Sequence, residues 1–270
     1  MTYETLERPK KSLGQNFLKD KNIINKIVKI GNINKNKIIL EIGAGYGNLT
    51  EVISCMNPKK IYAVEKDKKI SFFLRKKFHN KNNIEIINSD ILNLIKKNTL
   101  DSNITVFGNL PYNISTKILA SLITLKKWPP WYESLILMFQ KEVAERIIAK
   151  TKTSQFGRLS ILSNWRLEIK KHFDISKNCF FPKPKINSTL LSFTPKKIND
   201  YIIKNPKNLE NITRILFSGR RKMINKNFAR LFESSKEIAK DLNLNLRHRP
   251  EELSNEMFYK IAMKYEELTN

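Results

Sequence analysis

Ile38-Ile39-Leu40-Glu41-Ile42-Gly43-Ala44-Gly45-Tyr46-Gly47 decides the fold. A short, mainly apolar run ends in three glycines at alternate positions, and Asn48 to Met56 then carries helical character, so the segment reads as strand, loop and helix. Glycine lets the backbone turn tightly and approach a ligand, and the helix that follows aims its free N–H groups at the same place. The spacing is G-x-G-x-G and departs from the dinucleotide pattern G-x-G-x-x-G. The glycines by themselves select no ligand, because a strand-to-helix turn in a nonbinding α/β protein also accounts for them.

Working outward, the same unit recurs. Ile61 to Val64 ends at Glu65 before a helix running through Phe78, and Ile84 to Ile87 ends at Ser89-Asp90 before a shorter helix. Ile104 to Phe107 ends at Gly108-Asn109 ahead of a helix over Ser115 to Leu125, and Ser134 to Phe139 leads into one over Lys141 to Ala149. This alternation predicts an α/β fold with a parallel sheet covered by helices on both faces. Ile23 to Ile30 forms a lead-in helix with Asp20 or Asn22 as its cap. Farther on, Ile169 to Phe173 and Thr189 to Phe193 read as strands of an antiparallel edge around the Pro-rich segment Phe180 to Ser188. The polar stretch 196–206 reads as a linker, and Leu209 to Phe217, Met223 to Phe232, Ser235 to Leu242 and Met257 to Leu268 read as helices. The expected division is therefore a sheet domain over residues 1–195 and a small helical domain over 196–270.

Composition narrows the partners. The 270 residues are 41% hydrophobic and 10% aromatic, so the charge sits on a folded surface. Fifty Lys and Arg against 25 Asp and Glu give +25, which points to a polyanion and first of all to nucleic acid. Part of that excess also fits a plain Lys, Asn and Ile bias. From Lys196 onward there are 16 basic and 10 acidic residues, so +19 of the total belongs to residues 1–195. Cys55 and Cys179 support neither a disulfide framework nor a metal site, and no apolar run reaches the ~20 residues of a membrane span. A cytoplasmic protein with no membrane association is expected, and Glu4 and Glu7 argue against an organellar leader.

Chemistry concentrates at the strand ends, where ligands bind in sheets of this kind. Glu65 can accept both hydroxyls of a ribose or be a solvated charge. Asp90 can accept the exocyclic amine of an adenine or simply cap the next helix. Taken jointly with Gly43 and Gly45, they describe a pocket for an adenosine-containing cofactor. Asn109-Leu110-Pro111-Tyr112 favours S-adenosylmethionine over NAD, because Pro111 has no N–H and a fixed φ and helps aim the Leu110 carbonyl. The Asn109 side chain and that carbonyl can accept the two hydrogens of a planar amine and make its nitrogen nucleophilic. Tyr112 and Phe180 are candidates to sandwich an extruded base. His79, His172 and His248 are scattered and make no acyl-transfer set. Arg220, Arg221, Lys222, Arg247 and Arg249 can grip phosphates or lie on solvated faces.

Lys11-Ser-Leu-Gly-Gln15-Asn16-Phe17-Leu18, the Glu41 to Thr50 loop, Asn109 to Thr116, Gln140-Lys-Glu-Val143 and Phe180 to Ser188, in that order, resemble the KsgA-type small-subunit rRNA adenine dimethyltransferases. The resemblance implies a Rossmann-like class I S-adenosylmethionine-dependent methyltransferase sheet with a small all-helical C-terminal domain. It also implies transfer of two methyl groups to N6 of each of two adjacent adenosines near the 3′ end of small-subunit rRNA, with the assembling 30S subunit as partner and the chain acting as a monomer. By motif position, Asn16 and Leu18 would touch the cofactor, Gln15 would support that wall, and Gly43 would pack against it. Glu65 would hold the ribose, Asp90 would read the adenine, and Asn109 would line the transfer site. Phe180 matches the base-stacking aromatic, beside Phe181 and Lys183 at positions that often differ in relatives. Two alternatives stay open: a large-subunit (23S) rRNA adenine methylase of the macrolide-resistance type, and a noncatalytic ribosome-assembly factor on the same fold.

Overall fold

Buried β-branched runs set the centre of the molecule. The computed structural model describes residues 14–97, 100–197 and 200–269. In chain order the elements are β1 (Phe17–Leu18), α1 (Lys21–Ile30), β2 (Ile38–Ile42), α2 (Asn48–Cys55), β3 (Lys60–Glu65), α3 (Lys68–Lys77), β4 (Ile84–Asn88), α4 (Ile91–Lys97), β5 (Ile104–Asn109), α5 (Ser115–Ile123), β6 (Tyr132–Gln140), α6 (Lys141–Ile147), α7 (Arg158–Arg166), β7 (Leu167–Ile175), β8 (Phe180–Phe181), β9 (Ser188–Pro195), α8 (Pro206–Leu216), α9 (Asn225–Phe228), α10 (Ser235–Asp241) and α11 (Asn255–Thr269). Seven strands form one sheet in the order β4-β3-β2-β5-β6-β9-β7. The first five are parallel, and β9 runs antiparallel to β6.

Ile39, Ile61, Val106, Leu135 and Leu137 are fully buried, as expected for strands covered on both faces. Truncating any of these Ile or Leu side chains to Ala costs about 2–5 kcal/mol by transfer and cavity terms. Helix starts follow the local chemistry. Asp20 caps α1 by accepting from Ile23 N at 3.0 Å, and the i, i+3, i+4 set Ile24, Ile27 and Val28 faces the core. Asp67 caps α3 in the same way, through Lys69 N and Ile70 N.

The chain leaves β2 toward β3 and β4 on one side and returns to β5 on the other. That reversal of strand order is where the crevice of a doubly wound sheet opens. Register brings the ends level: Ile42 pairs with Val64 and with Gly108, and Glu65 pairs with Asn88. Gly43, Glu65, Asp90 and Asn109 therefore meet at one edge.

Several elements differ from the sequence reading. The two-residue strands β1 and β8 pair antiparallel, Leu18 with Phe180 and Phe17 with Phe181, and are too short to show any periodicity. Helix α7 escapes detection because nearly all its sides are buried, including Ser160, Ile161, Leu162, Ser163, Trp165 and Arg166, so no amphipathic stripe forms. Only Asn225–Phe228 is helical within the expected Met223 to Phe232 helix.

Contacts divide the chain into two compact units. Among the described residues, one comprises those from Gly14 to Ile118 with Trp131–Lys141 and Lys170–Thr194, and the other comprises Leu119–Pro130, Glu142–Ile169 and those from Pro195 to Thr269. The last crossing lies one residue from the 195/196 boundary read in the sequence, whereas 119–130 and 142–169 group with the C-terminal helices. Inside that second unit α8 packs on α7 and α11, and Tyr259 donates its hydroxyl to Ile161 O at 2.9 Å. The stretch 196–206 is not a loose linker in its described residues. Lys196 N donates to Arg166 O, Trp165 Nε1 donates to Tyr201 O, and Ile203 is buried. The buried Glu266 carboxylate of α11 accepts from Lys204 N and Asn205 N, both at 2.7 Å, which satisfies the polar groups entering α8.

Candidate active site

A cleft of about 880 Å³, measured out to its open mouth, lies at the level strand ends and is lined from Gly14 to Phe17, Gly43, Gly45, Glu65, Lys66, Asp90 and the Asn109 turn. All these residues belong to the first unit. Lys11 to Leu13 of the N-terminal motif lie outside the described residues.

Gly43 and Gly45 are both at positive φ, +73° and +55°. A Cβ on Gly45 would meet the Phe17 ring at 2.8 Å, so that glycine allows the N-terminal segment to lie over the loop. A Cβ on Gly43 would meet only Asn109 O, at 3.7 Å, so the backbone there is open to a ligand.

Glu65 is 7% exposed. Its Oε2 accepts from Gly45 N at 3.0 Å and its Oε1 from Asp67 N at 2.8 Å. Burial raises its carboxyl above the usual range, and the N–H groups of Asp67 and Gly45 oppose the shift. Each oxygen keeps a further lone pair, so the group suits a pair of hydroxyl donors. Asp90 is held differently. Oδ1 caps α4 through Leu92 N at 2.9 Å, and Oδ2 takes the Lys66 ammonium at 3.0 Å. Partial burial opposes ionisation, but Lys66 and the Leu92 N–H bring the carboxyl below its usual value. The helix cap read as one option for Asp90 is thus present, together with an ion pair that sequence reasoning did not include.

Asn109 closes the other side. Its Nδ2 donates to Asn16 O at 2.6 Å, which commits the amide nitrogen and leaves Oδ1 as the acceptor. In the turn that follows, Pro111 O accepts from Ile114 N and Tyr112 O from Ser115 Oγ. The Leu110 carbonyl is not used by the turn. Asn16, in turn, is oriented by donating Nδ2 to Gly14 O at 3.2 Å. Gln15 stands on the same wall of the cleft.

The structure differs from the sequence expectation at the aromatic and apolar positions. Phe180 is 1% exposed and packs in the core with Leu18, Ile24 and Ile175, because its partner in β1 is Leu18 and both side chains are buried. It presents no face to the cleft. Its neighbour Phe181 is 36% exposed. Leu18 is likewise a core residue and reaches only an adjoining recess beside Glu41, Asn48 and Met138, while its carbonyl accepts from Asn48 Nδ2 at 2.7 Å. Tyr112 is half-buried and does not line the main cleft; its hydroxyl bonds Ser188 Oγ at 2.7 Å and joins the Asn109 turn to the start of β9. Arg220 is tied to Glu251 at 2.8 Å and to Phe156 O at 2.9 Å, so it braces its own unit, whereas Arg221 and Lys222 are exposed.

Glu41, at the start of the loop motif, is a buried acid whose environment sequence reasoning missed. It is 2% exposed, accepts from Thr50 Oγ1 at 2.6 Å, and is pushed up to about 8 by burial against that hydrogen bond. A lone acidic residue inside an otherwise apolar strand was the available signal. Among the described residues no group of three or more His, Cys, Asp or Glu can hold a metal, and no helix is long and apolar enough to cross a membrane.

A family model described as ribosomal RNA adenine dimethylase matches residues 6–267. The chain belongs to the ribosomal RNA adenine dimethylase family. It is 50% identical over 261 residues to the ribosomal RNA small subunit methyltransferase A of Pelagibacter ubique (strain HTCC1062), covering 97% of this chain and 98% of that protein. A protein of the same description from Wolbachia sp. subsp. Drosophila simulans (strain wRi) is 36% identical over 267 residues, with 97% and 95% covered. Among solved structures, a dimethyladenosine transferase from Plasmodium falciparum superposes with a TM-score of 0.76 at 26% identity, over 93% of this chain and 98% of that one. The 23S rRNA methyltransferase ErmE shares the fold, with a TM-score of 0.66 at 19% identity over 93% and 99%.

Proposed function

We propose that this protein uses S-adenosylmethionine to dimethylate N6 of two adjacent adenosines near the 3′ end of small-subunit (16S) rRNA, acting as a cytoplasmic monomer on the assembling 30S subunit. The observation that carries the reading is the 50% identity, over nearly the whole of both chains, with a small-subunit methyltransferase A. The same likeness favours the small-subunit substrate over the 23S type, which shares only the fold at 19% identity.

The residues present fit the cofactor. The Gly43 backbone is open to the cleft, and Glu65 offers two oriented acceptors for ribose hydroxyls. Asp90 would accept from the adenine amine, and Asn16 with Gln15 would close the wall. Leu18 would support that wall from the core. When bound, S-adenosylmethionine supplies an electrophilic methyl group on a sulfonium. The chain's part is to prepare the amine. Asn109 Oδ1 and Leu110 O accept its two hydrogens, which draws the lone pair out of the ring and toward the electrophile. Pro111 keeps the turn free of a competing donor. No general base is needed, because the amine becomes strongly acidic as it is alkylated and its proton passes to an acceptor in the site or to solvent. Tyr112 lies next to that acceptor pair, and Phe181 is the more exposed ring of the Phe180-Phe181 pair. In this reading residues 1–195 hold the chemistry and 196–270 contribute further rRNA contacts.

The test is methylation of 30S particles from cells lacking the modification by the purified protein. Dimethyladenosine at two adjacent small-subunit positions is expected, and labelling of large-subunit rRNA alone would overturn the assignment. Methylation that persists when the protein is inactive at its cleft, as with a contaminating enzyme, is excluded by running Asn109→Ala alongside.

A further inference from the structure

Helix α3 carries on its outer face a surface that the cleft does not use. Its ten residues, Lys68 to Lys77, include five basic side chains and no acidic one. Helical spacing puts Lys68, Phe72, Arg75 and Lys76 on one stripe, opposite the buried Ile70, Ser71 and Leu74. Phe72 is 59% exposed, and the Lys76 ammonium stands 4.6 Å from its ring centroid. Lys68 and Lys76 form no ion pair among the described residues, and Arg75 donates only to Ile86 O, at 3.4 Å. Lys77, off the stripe, is the one paired with Glu51. Asp67, the acidic residue just before the helix, is buried and committed to capping it.

The stripe thus combines cations lacking carboxylates with an aromatic ring left in water. A polyanion satisfies the first and a flat apolar face the second. An unpaired nucleotide presents both, and stacking on an aromatic beside phosphate-binding cations is how proteins hold single-stranded RNA. We propose that the outer face of α3 is a second rRNA contact, in which Phe72 stacks an unpaired base while Lys68, Arg75 and Lys76 hold the flanking phosphates. The helix begins two residues after Lys66 at the cleft rim, so the stripe extends the RNA path away from the reacting adenosine. This inference rests on the rRNA reading above.

The test compares Phe72→Ala, Phe72→Trp and Lys68→Ala/Lys76→Ala with the unsubstituted protein on undermethylated 30S particles. Phe72→Ala should raise KM for the particle about tenfold, as loss of one stacked base does, with S-adenosylhomocysteine affinity and melting temperature unchanged. Phe72→Trp should restore it. The double lysine variant should make binding less salt-dependent, lowering the slope of log K against log salt by about two. Unchanged KM and unchanged slope in these variants would overturn the proposal. So would an effect on intact particles that vanishes on a naked rRNA fragment, which would assign the face to a ribosomal protein. If the unsubstituted protein itself fails to methylate the particles, the rRNA reading falls, a result separable from active protein with indifferent α3 variants.

Discussion

The floor and the rim of the cleft hold their polar groups in opposite ways. Near the ends of β2, β3 and β5, Glu41 of the adjoining recess, Glu65 and Asn109 are tied by one fixed partner each or by backbone groups: Thr50 Oγ1, the N–H groups of Gly45 and Asp67, and the Asn16 carbonyl. Just past the end of β4, Asp90 is partly exposed and paired with a flexible, exposed lysine. Burial raises both floor carboxyls, whereas Lys66 lowers the rim carboxyl. Main-chain ties on rigid strands preset a geometry, which suits ribose binding and amine activation. A surface ion pair is worth little and breaks easily, which suits a position that a ligand must enter.

The largest expected effect tests the floor. Asn109→Ala should leave S-adenosylhomocysteine binding within a few-fold of the unsubstituted protein by calorimetry, yet lower kcat by about 10²–10³, the size typical of losing one preorganised group aimed at developing charge. Undiminished turnover would remove the amine-acceptor role. Next is Glu41→Gln, which mimics the neutral acid. Because the folded carboxyl titrates near 8 against 4.5 when unfolded, ionising it costs stability, and that cost is absent below pH 4.5 and grows until pH passes 8. Thermal melts of the two proteins should coincide near pH 4.5 and diverge by a few kcal/mol at pH 9, with the Gln variant the more stable. A constant gap across that range would show that Glu41 is not held neutral.

Glu65→Gln sharpens the contrast further. An amide nitrogen cannot accept, so either Gly45 N or Asp67 N loses its partner, and cofactor-product affinity should fall about tenfold. The smallest change belongs to the rim. Lys66→Met frees Asp90 and should tighten S-adenosylhomocysteine by about threefold at low salt, with the gap closing as salt screens the original pair. A tenfold or greater loss would instead make Lys66 part of the rigid wall, and the floor and rim would no longer differ in kind.

Much of this is legible in the sequence. Apolar runs located five parallel strands, and the residues that close four of them, Gly43, Glu65, Asp90 and Asn109, located the strand ends of the cleft, because local burial writes itself into composition. Phe180 was misplaced for an equally physical reason. In Phe180-Phe181 both rings are aromatic, and which one turns inward is decided by pairing with Leu18, 162 positions away in the chain. The Lys66–Asp90 pair and the Tyr112–Ser188 bond were unreadable on the same ground, since they depend on which distant side chains the sheet register aligns.

By itself, then, the sequence determined the alternation of strands and helices, the strand-end chemistry, the excess of positive charge and, through its ordered motifs, the family. Only the tertiary structure decided which lone pairs remain available. The Asn109 oxygen stays an acceptor because the Asn16 carbonyl has taken its nitrogen, and Asp90 is already paired with Lys66. Propensity and periodicity are properties of neighbouring residues, whereas hydrogen-bond commitment is settled between residues that only folding brings within 3 Å.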